Sequence, residues 1–197
     1  TIEAEGCQAS VGSRCEIVSP KGSRAEAEVV GFEEGRLYLM PLDSLQGIEP
    51  GARVIPVEHD EGVAVGPGLL GRVIDGAGRA LDERGPVFAV DRAQLEGERL
   101  NPLKRKPITD VFDVGIRAVN ALMTVGRGQR LGLFAGSGVG KSTLLGLMTR
   151  YSEADVVVVG LIGERGREVQ EFIDHILGEA GLKRAVVVAT PADSPPL

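Results

Sequence analysis

An N-terminal β-barrel followed by part of an α/β core, a parallel sheet with crossover helices, is the fold class this sequence predicts. Two observations predict it. From about Ser10 to Val65, short β-type segments alternate with Gly, Pro and acidic turns, the spacing of a small antiparallel barrel or sandwich. Beyond residue 108 the order changes to strand, loop, helix, strand, helix, strand, which implies parallel strands joined by crossover helices. The expected division is a barrel over 1–67, a connecting segment and start of the core over 68–107, and a partial core over 108–197.

Composition supports a globular chain and excludes several classes. With 197 residues, 43% of them hydrophobic, there is material for one large or two small domains. The longest apolar runs, Asp155 to Gly163 and Ala185 to Thr190, fall far short of the roughly 20 residues of a membrane span. No basic-led apolar leader is visible, and the chain opens on Thr1, which implies trimming or an unrecorded start. Two cysteines, Cys7 and Cys15, do not make a disulfide framework, so a reducing, cytosolic setting is expected. Residues 1–100 carry 10 Lys/Arg against 18 Asp/Glu, a net of −8, whereas residues 101–197 carry 12 against 10, a net of +2. Phosphate backbones are held by clustered cations, so an acidic first half poor in aromatics argues against a nucleic-acid platform.

In the first half, RCEIVS, AEAEVVGF, RLYLMP and ARVIPVE read as strands. The EEGR between Phe32 and Leu37 reads as a hairpin turn in which Gly35 supplies a positive φ. His59, between Glu58 and Asp60, has no Cys/His partners at ligand spacing and does not suggest a metal. Gly68 to Val87 holds one apolar strand and two turns, at Asp75-Gly76 and at Glu83 to Pro86. NPLKRKPI, Asn101 to Ile108, is a connector, because its prolines suit neither helix nor central strand, and Lys104 to Lys106 read as solvated surface. In the core, QRLGLFA is expected to be a buried strand, KSTLLGLMTRY a helix, DVVVVGLIG a strand, and REVQEFIDHILGEAG an amphipathic helix closing on Gly181 before the strand RAVVVAT. Val169, Phe172, Ile173, Ile176 and Leu177 define that helix's core face, with His175 off it.

Ala135 to Ser142, AGSGVGKS, matches the P-loop (Walker A) template with Ala135 in place of its first glycine. Gly136, Ser137, Gly138, Val139 and Gly140 offer a bare backbone whose N–H groups can face an anion, and the helix that follows adds its unpaired donors and positive dipole end. Lys141 can reach the β- and γ-phosphates of a nucleotide, Thr143 lies in the same first turn, and the Ser142 hydroxyl can join Mg2+. A second constellation, GERGRE from Gly163 to Glu168, stands at the carboxyl end of the next strand, where ligands lie in open parallel sheets. Glu164, flanked by Arg165 and Arg167, could orient a water for attack on the γ-phosphate. It could equally be part of a charged helix start that favours the dipole and pairs with arginines. The residues alone leave both readings open.

The stretches DVGIRAVNALMTVGRGQRLGLFAGSGVGKSTLLGLMTRY and ADVVVVGLIGERGREVQEFI closely resemble the flagellar protein-export ATPases, the ATPases of flagellar type III secretion, themselves similar to the catalytic subunits of rotary ATP synthases. GLLGRVIDGAGRALD and NPLKRKPI extend the likeness through nearly the whole chain, and AGSGVGKS with Ala135 first is the flagellar form of the loop. The resemblance implies a P-loop ATPase core behind a barrel that contacts neighbours in a homo-hexameric ring. It implies ATP and Mg2+ as substrate and metal, with Lys141 and Ser142 at the phosphate and magnesium positions and Glu164, beside Arg165, as the water-activating group. It also implies export-apparatus components, an inhibitory regulator and export substrates or chaperones as partners, and a cytoplasmic location peripheral to the inner face of the cell membrane. Further strands, a metal-facing aspartate, an arginine finger and an adenine-stacking aromatic are expected beyond Leu197. Where the family has Ser-Pro-Leu, this chain has Pro195-Pro196-Leu197. Two other functions compete: a non-hydrolysing assembly module, and a ring ATPase acting on RNA, which the acidic barrel argues against.

Overall fold

The computed structural model describes residues 1–42, 44–57, 62–94, 101–136 and 138–192. The expectations that concern His59, Ser137 and the final Pro-Pro-Leu lie outside these residues. The described parts of 1–61 and of 62–192 form two compact units.

The first unit is a curled antiparallel sheet of five strands: β1 (Ile2–Glu5), β2 (Arg14–Val18), β3 (Arg24–Glu33), β4 (Arg36–Pro41) and β5 (Arg53–Pro56), in the order β1-β4-β3-β2-β5. Strict alternation places Cys15 and Ile17 of β2, Ala25, Ala27 and Val29 of β3, and Leu37 and Leu39 of β4 inside. The charged residues between them face water, which is how a period of two makes one face a core. The predicted barrel is thus a half-barrel, with no ladder joining β1 to β5 among the described residues. Strand β1 was not anticipated, because only Ala4 of its four residues is buried. The β3–β4 turn has Glu34 at φ 50° and Gly35 at φ 81°, with Glu33 opposite Arg36. Two consecutive left-handed residues give the turn whose twist matches that of the flanking strands.

In the second unit, β6 (Val63–Val65) pairs antiparallel with β8 (Asp91–Ala93). Between them in sequence, β7 (Val73–Ile74) crosses to a separate parallel sheet, β7-β10-β9, formed with β9 (Val157–Ile162) and β10 (Ala185–Thr190). The turns after β7 are held by two ion pairs, Arg79 with Asp75 within the first turn and Arg72 with Asp82 across both. The Arg72 guanidinium donates from Nε and Nη2 to the Asp82 carboxylate at 2.7 and 2.8 Å, and from Nη2 to the Gly85 carbonyl at 2.6 Å. Asp82 also accepts the Val73 and Arg84 backbone N–H groups, with its side chain only 8% exposed. The Arg72 hydrogen bonds are the main reason its carboxyl sits well below the usual carboxylate range; burial opposes that shift and the two N–H groups add to it.

The helices are α1 (Arg117–Leu122), α2 (Lys141–Tyr151), α3 (Gly166–Glu171), which continues as a π-helical stretch over Phe172–Leu177, and α4 (Gly178–Leu182). Val169, Phe172 and Leu177 are buried, with Ile173 and Ile176 packed on the same cluster beneath Val159, Leu161, Ala185 and Val187, while His175 is exposed. The long helix breaks at Gly178, φ 65°, rather than closing on Gly181. Gly181 instead packs closely: a Cβ there would lie 2.8 Å from Leu177 Cδ1.

One expected core element is absent. Residues 129–136 form no strand, and Leu131, Leu133 and Phe134 are exposed, Phe134 by 93%. A strand exists through its ladder, and β10 has both edges occupied by β7 and β9. No described strand borders the QRLGLFA stretch, so its apolar residues have nothing to pack against. The third strand of the sheet is β7.

Candidate nucleotide-binding site

The loop before α2 turns on two left-handed glycines, Gly138 at φ 77° and Gly140 at φ 95°. Gly140 is the residue that starts the helix, and its carbonyl accepts the Leu144 N–H at 2.9 Å. No side chain caps α2, so its leading N–H groups lack the partner that a Ser, Asp or Asn ordinarily provides. A Cβ at Gly136, Gly138 or Gly140 would meet nothing within 4 Å. The bare backbone is therefore not imposed by crowding within the chain, and at Gly136 it is not imposed by φ either. An uncapped helix start behind an uncrowded glycine loop fits a phosphate group.

Lys141, Ser142 and Thr143 form the first turn of α2, all three exposed, as are Gly136, Gly138, Val139 and Gly140. The second turn seats the helix. A Cβ at Gly146 would overlap the Ile176 side chain, and the Thr149 hydroxyl donates to the Leu145 carbonyl at 2.9 Å. At the far end the Arg184 guanidinium donates to the Ser152 carbonyl at 2.7 Å, joining the end of α2 to the start of β10.

Glu164 is half-buried just past the end of β9, after Gly163 with φ 72°. Arg165 has extended backbone and stands at the N-cap of α3, where its carbonyl accepts the Glu168 and Val169 N–H groups at 2.8 and 3.0 Å. The acidic residue in the first turn of α3 is Glu168, 3.9 Å from Arg165 Nη1. The role of favouring the helix dipole and pairing with an arginine thus falls to Glu168. Glu164 lies before the helix, and no ion pair involves it among the described residues. Arg167 is exposed within α3. Lys141, Ser142 and Thr143 are brought together by one helical turn, and Glu164 and Arg165 by the β9–α3 corner. Two backbone partners of that corner went unread in the sequence: the Thr190 carbonyl, accepting the Gly163 N–H at 2.8 Å, and the Ala192 N–H, donating to the Glu164 carbonyl at 2.9 Å. A glycine directly before the glutamate was the available signal. Among the described residues no group of three or more His, Cys, Asp or Glu is placed to hold a metal ion, and no helix is long and apolar enough to cross a membrane.

This combination of parallel sheet, uncapped helix and Lys-Ser start is that of a P-loop nucleotide-binding protein, and residues 115–197 carry the nucleotide-binding domain of the ATP synthase alpha/beta family. Over its whole length the chain is homologous to proteins named flagellum-specific ATP synthase. It is 62% identical to that of Pseudomonas aeruginosa, covering 100% of this chain and 44% of the relative, and 53% identical to that of Salmonella typhimurium, covering 100% and 45%. Among solved structures it is similar to the assembled ATPase EscN of the enteropathogenic E. coli type III secretion system, with TM-score 0.86 and 39% identity over 98% of this chain and 46% of that one. EscN in complex with its central stalk EscO matches with TM-score 0.85 and 38% identity over 98% and 47%. The chain spans under half the length of the relatives it matches.

Proposed function

We propose that this chain is the N-terminal part of an ATPase that energises flagellar type III protein export. The observation that carries the proposal is the loop of left-handed glycines opening onto the uncapped start of α2, with Lys141 and Ser142 in its first turn. The flagellar setting is supported by 62% identity, along the whole chain, to a flagellum-specific ATP synthase. In this reading the N–H groups of 136–143 and the Lys141 ammonium hold the β- and γ-phosphates. The Ser142 hydroxyl would be a ligand of Mg2+, an ion that would supply charge neutralisation at the phosphates when bound. Glu164 takes a proton from the attacking water, and Arg165 beside it holds the corner's charge.

The same reading makes 1–67 the barrel, 68–107 a connector and start of the core, and 108–197 a partial core. It places the protein in the cytoplasm, peripheral to the inner face of the membrane, in a homo-hexamer that meets export-apparatus components, an inhibitory regulator and export substrates or chaperones, without nucleic acid. Ring assembly and stalk binding are supported by the assembled EscN and its complex with EscO. The test is Mg2+-dependent ATP hydrolysis by the full-length protein, with and without single-stranded RNA, beside Lys141→Ala. Turnover indifferent to RNA and abolished in the variant is expected, because no other cation in the loop can offset the phosphate charge. Retained turnover in Lys141→Ala would remove the phosphate-loop assignment, and stimulation by RNA would move the protein to the nucleic-acid class.

A further inference from the structure

The parallel ladder between β9 and β10 does not stop where the strands do, and it changes register as it leaves them. Its last regular pair sets Ile162 opposite Thr190. The Gly163 N–H then donates to the Thr190 carbonyl at 2.8 Å, which makes Pro191 the partner of Gly163. In an unbroken parallel ladder the Ala192 N–H would return to the Gly163 carbonyl. It donates instead to the Glu164 carbonyl, at 2.9 Å. Gly163 and Glu164 together therefore oppose the single residue Pro191, a bulge with one extra residue on the β9 side, and Gly163 at φ 72° is the residue that absorbs it.

The bulge changes where Glu164 points. Along β9, Val159 and Leu161 are buried against the helices, whereas Val158 and Ile162 are 68% and 67% exposed. Unbroken alternation would put Glu164 on the face of Ile162. An extra residue takes it off that alternation, and Glu164 is half-buried rather than open like Ile162. We infer that the Gly163–Glu164 bulge, held by the Thr190 carbonyl and the Ala192 N–H, is the device that aims the Glu164 carboxylate at the reacting water, so that Gly163 and Ala192 are positioning residues for hydrolysis.

The inference rests on Glu164 activating water. A Cβ at Gly163 would meet nothing within 4 Å, so Gly163→Ala brings no clash and acts only through the backbone angle, which L residues resist. Asn tolerates that angle better than Ala, so Gly163→Asn is the rescue variant. Ala192→Pro removes the N–H that donates to the Glu164 carbonyl. In the full-length protein, Gly163→Ala and Ala192→Pro are expected to lower kcat for ATP by about tenfold to 10²-fold, the effect of misplacing a catalytic group by about 1 Å. KM and nucleotide Kd should stay within twofold of wild type, and Gly163→Asn should recover most of kcat. Unchanged kcat in both variants would overturn the inference, as would KM and Kd rising together with the fall in kcat and no recovery in Gly163→Asn. Glu164→Gln is the separating control: if it alone retains full turnover, the assignment of Glu164 fails; if it is inactive while Gly163→Ala and Ala192→Pro are normal, only the positioning inference fails.

Discussion

Glu164 and Glu168 are four residues apart and chemically alike, yet the backbone puts them in different places. Glu168 lies in the first turn of α3 and 3.9 Å from Arg165, whereas Glu164 precedes the helix at the mouth of the sheet. Replacing Glu164 with Gln should leave nucleotide binding by the full-length protein intact and cut turnover about 10²-fold or more, because an amide cannot accept the water's proton. Equilibrium binding and single-turnover hydrolysis check this, and weakened binding with normal turnover per bound nucleotide would return Glu164 to a capping role. Asp82 permits a pH prediction. Its folded pKa is depressed, chiefly by the Arg72 hydrogen bonds. Its contribution to stability is therefore fully present above the unfolded carboxylate value of about 4 and is lost as pH falls through the lower folded value. Asp82→Asn should melt at a lower temperature at pH 7, and the difference from wild type should shrink as pH drops below about 4. Thermal melts from pH 7 to pH 2 measure it, and a constant difference across that range would contradict the assignment.

The helix that carries Lys141 is positioned by what it lacks. Glycine in a helix interior ordinarily weakens it by up to about 1 kcal/mol relative to Ala, yet Gly146 is where α2 meets Ile176 and Phe172 of the neighbouring helix. Gly146→Val would add side-chain volume to a contact with no room and should destabilise the second unit by about 1–3 kcal/mol, despite the better helix propensity. Urea titration read by circular dichroism checks the sign, and a stabilised variant would show that α2 is not seated through Gly146. Strands and helices differ in how far each stands alone. The stretch 166–177 holds its helical form on its own hydrogen bonds and its Val169, Phe172 and Leu177 stripe, whereas 129–136, equally apolar, forms no strand because a strand needs a neighbour.

On the face of the parallel sheet opposite Val159 and Leu161, β10 and β7 are covered at Val186, Thr190 and Ile74, but β9 is open. Val158 and Ile162 on β9 and Phe134 before the loop are exposed, and β9 presents an unpaired edge among the described residues. An apolar face beside an open edge invites association. The isolated 197-residue chain is therefore expected to self-associate at high concentration and to hydrolyse ATP negligibly. In the proposed reading the loop and Glu164 supply only part of a phosphoryl-transfer site, and an arginine provided by another element or subunit is worth about 10³ to 10⁵ in rate in such systems. Light scattering across a concentration series and a coupled ATPase assay check both statements, and turnover at the full-length rate would show that the chain carries a complete site.

What the sequence determined by itself is what depends on neighbours a few residues away. The strands β2 to β4 follow from alternation in RCEIV, AEAEV and RLYLM, the tight turn at Glu34-Gly35 from its glycine, the core stripe of the long helix from its three- and four-residue steps, and the left-handed loop before α2 from its glycines. These are short-range signals, set by φ preference and by which side chains share a face. What the tertiary structure decided depends on long-range pairing. It placed the short β7, rather than QRLGLFA, beside β10, held Asp82 under Arg72 ten residues away, broke the long helix at Gly178 and brought Gly181 against Leu177. The bulge that sets Glu164 belongs to the same class, since its hydrogen bonds join residues 163 and 164 to residues 190 and 192. A ladder's register is a property of two strands together, and neither strand's sequence carries it alone.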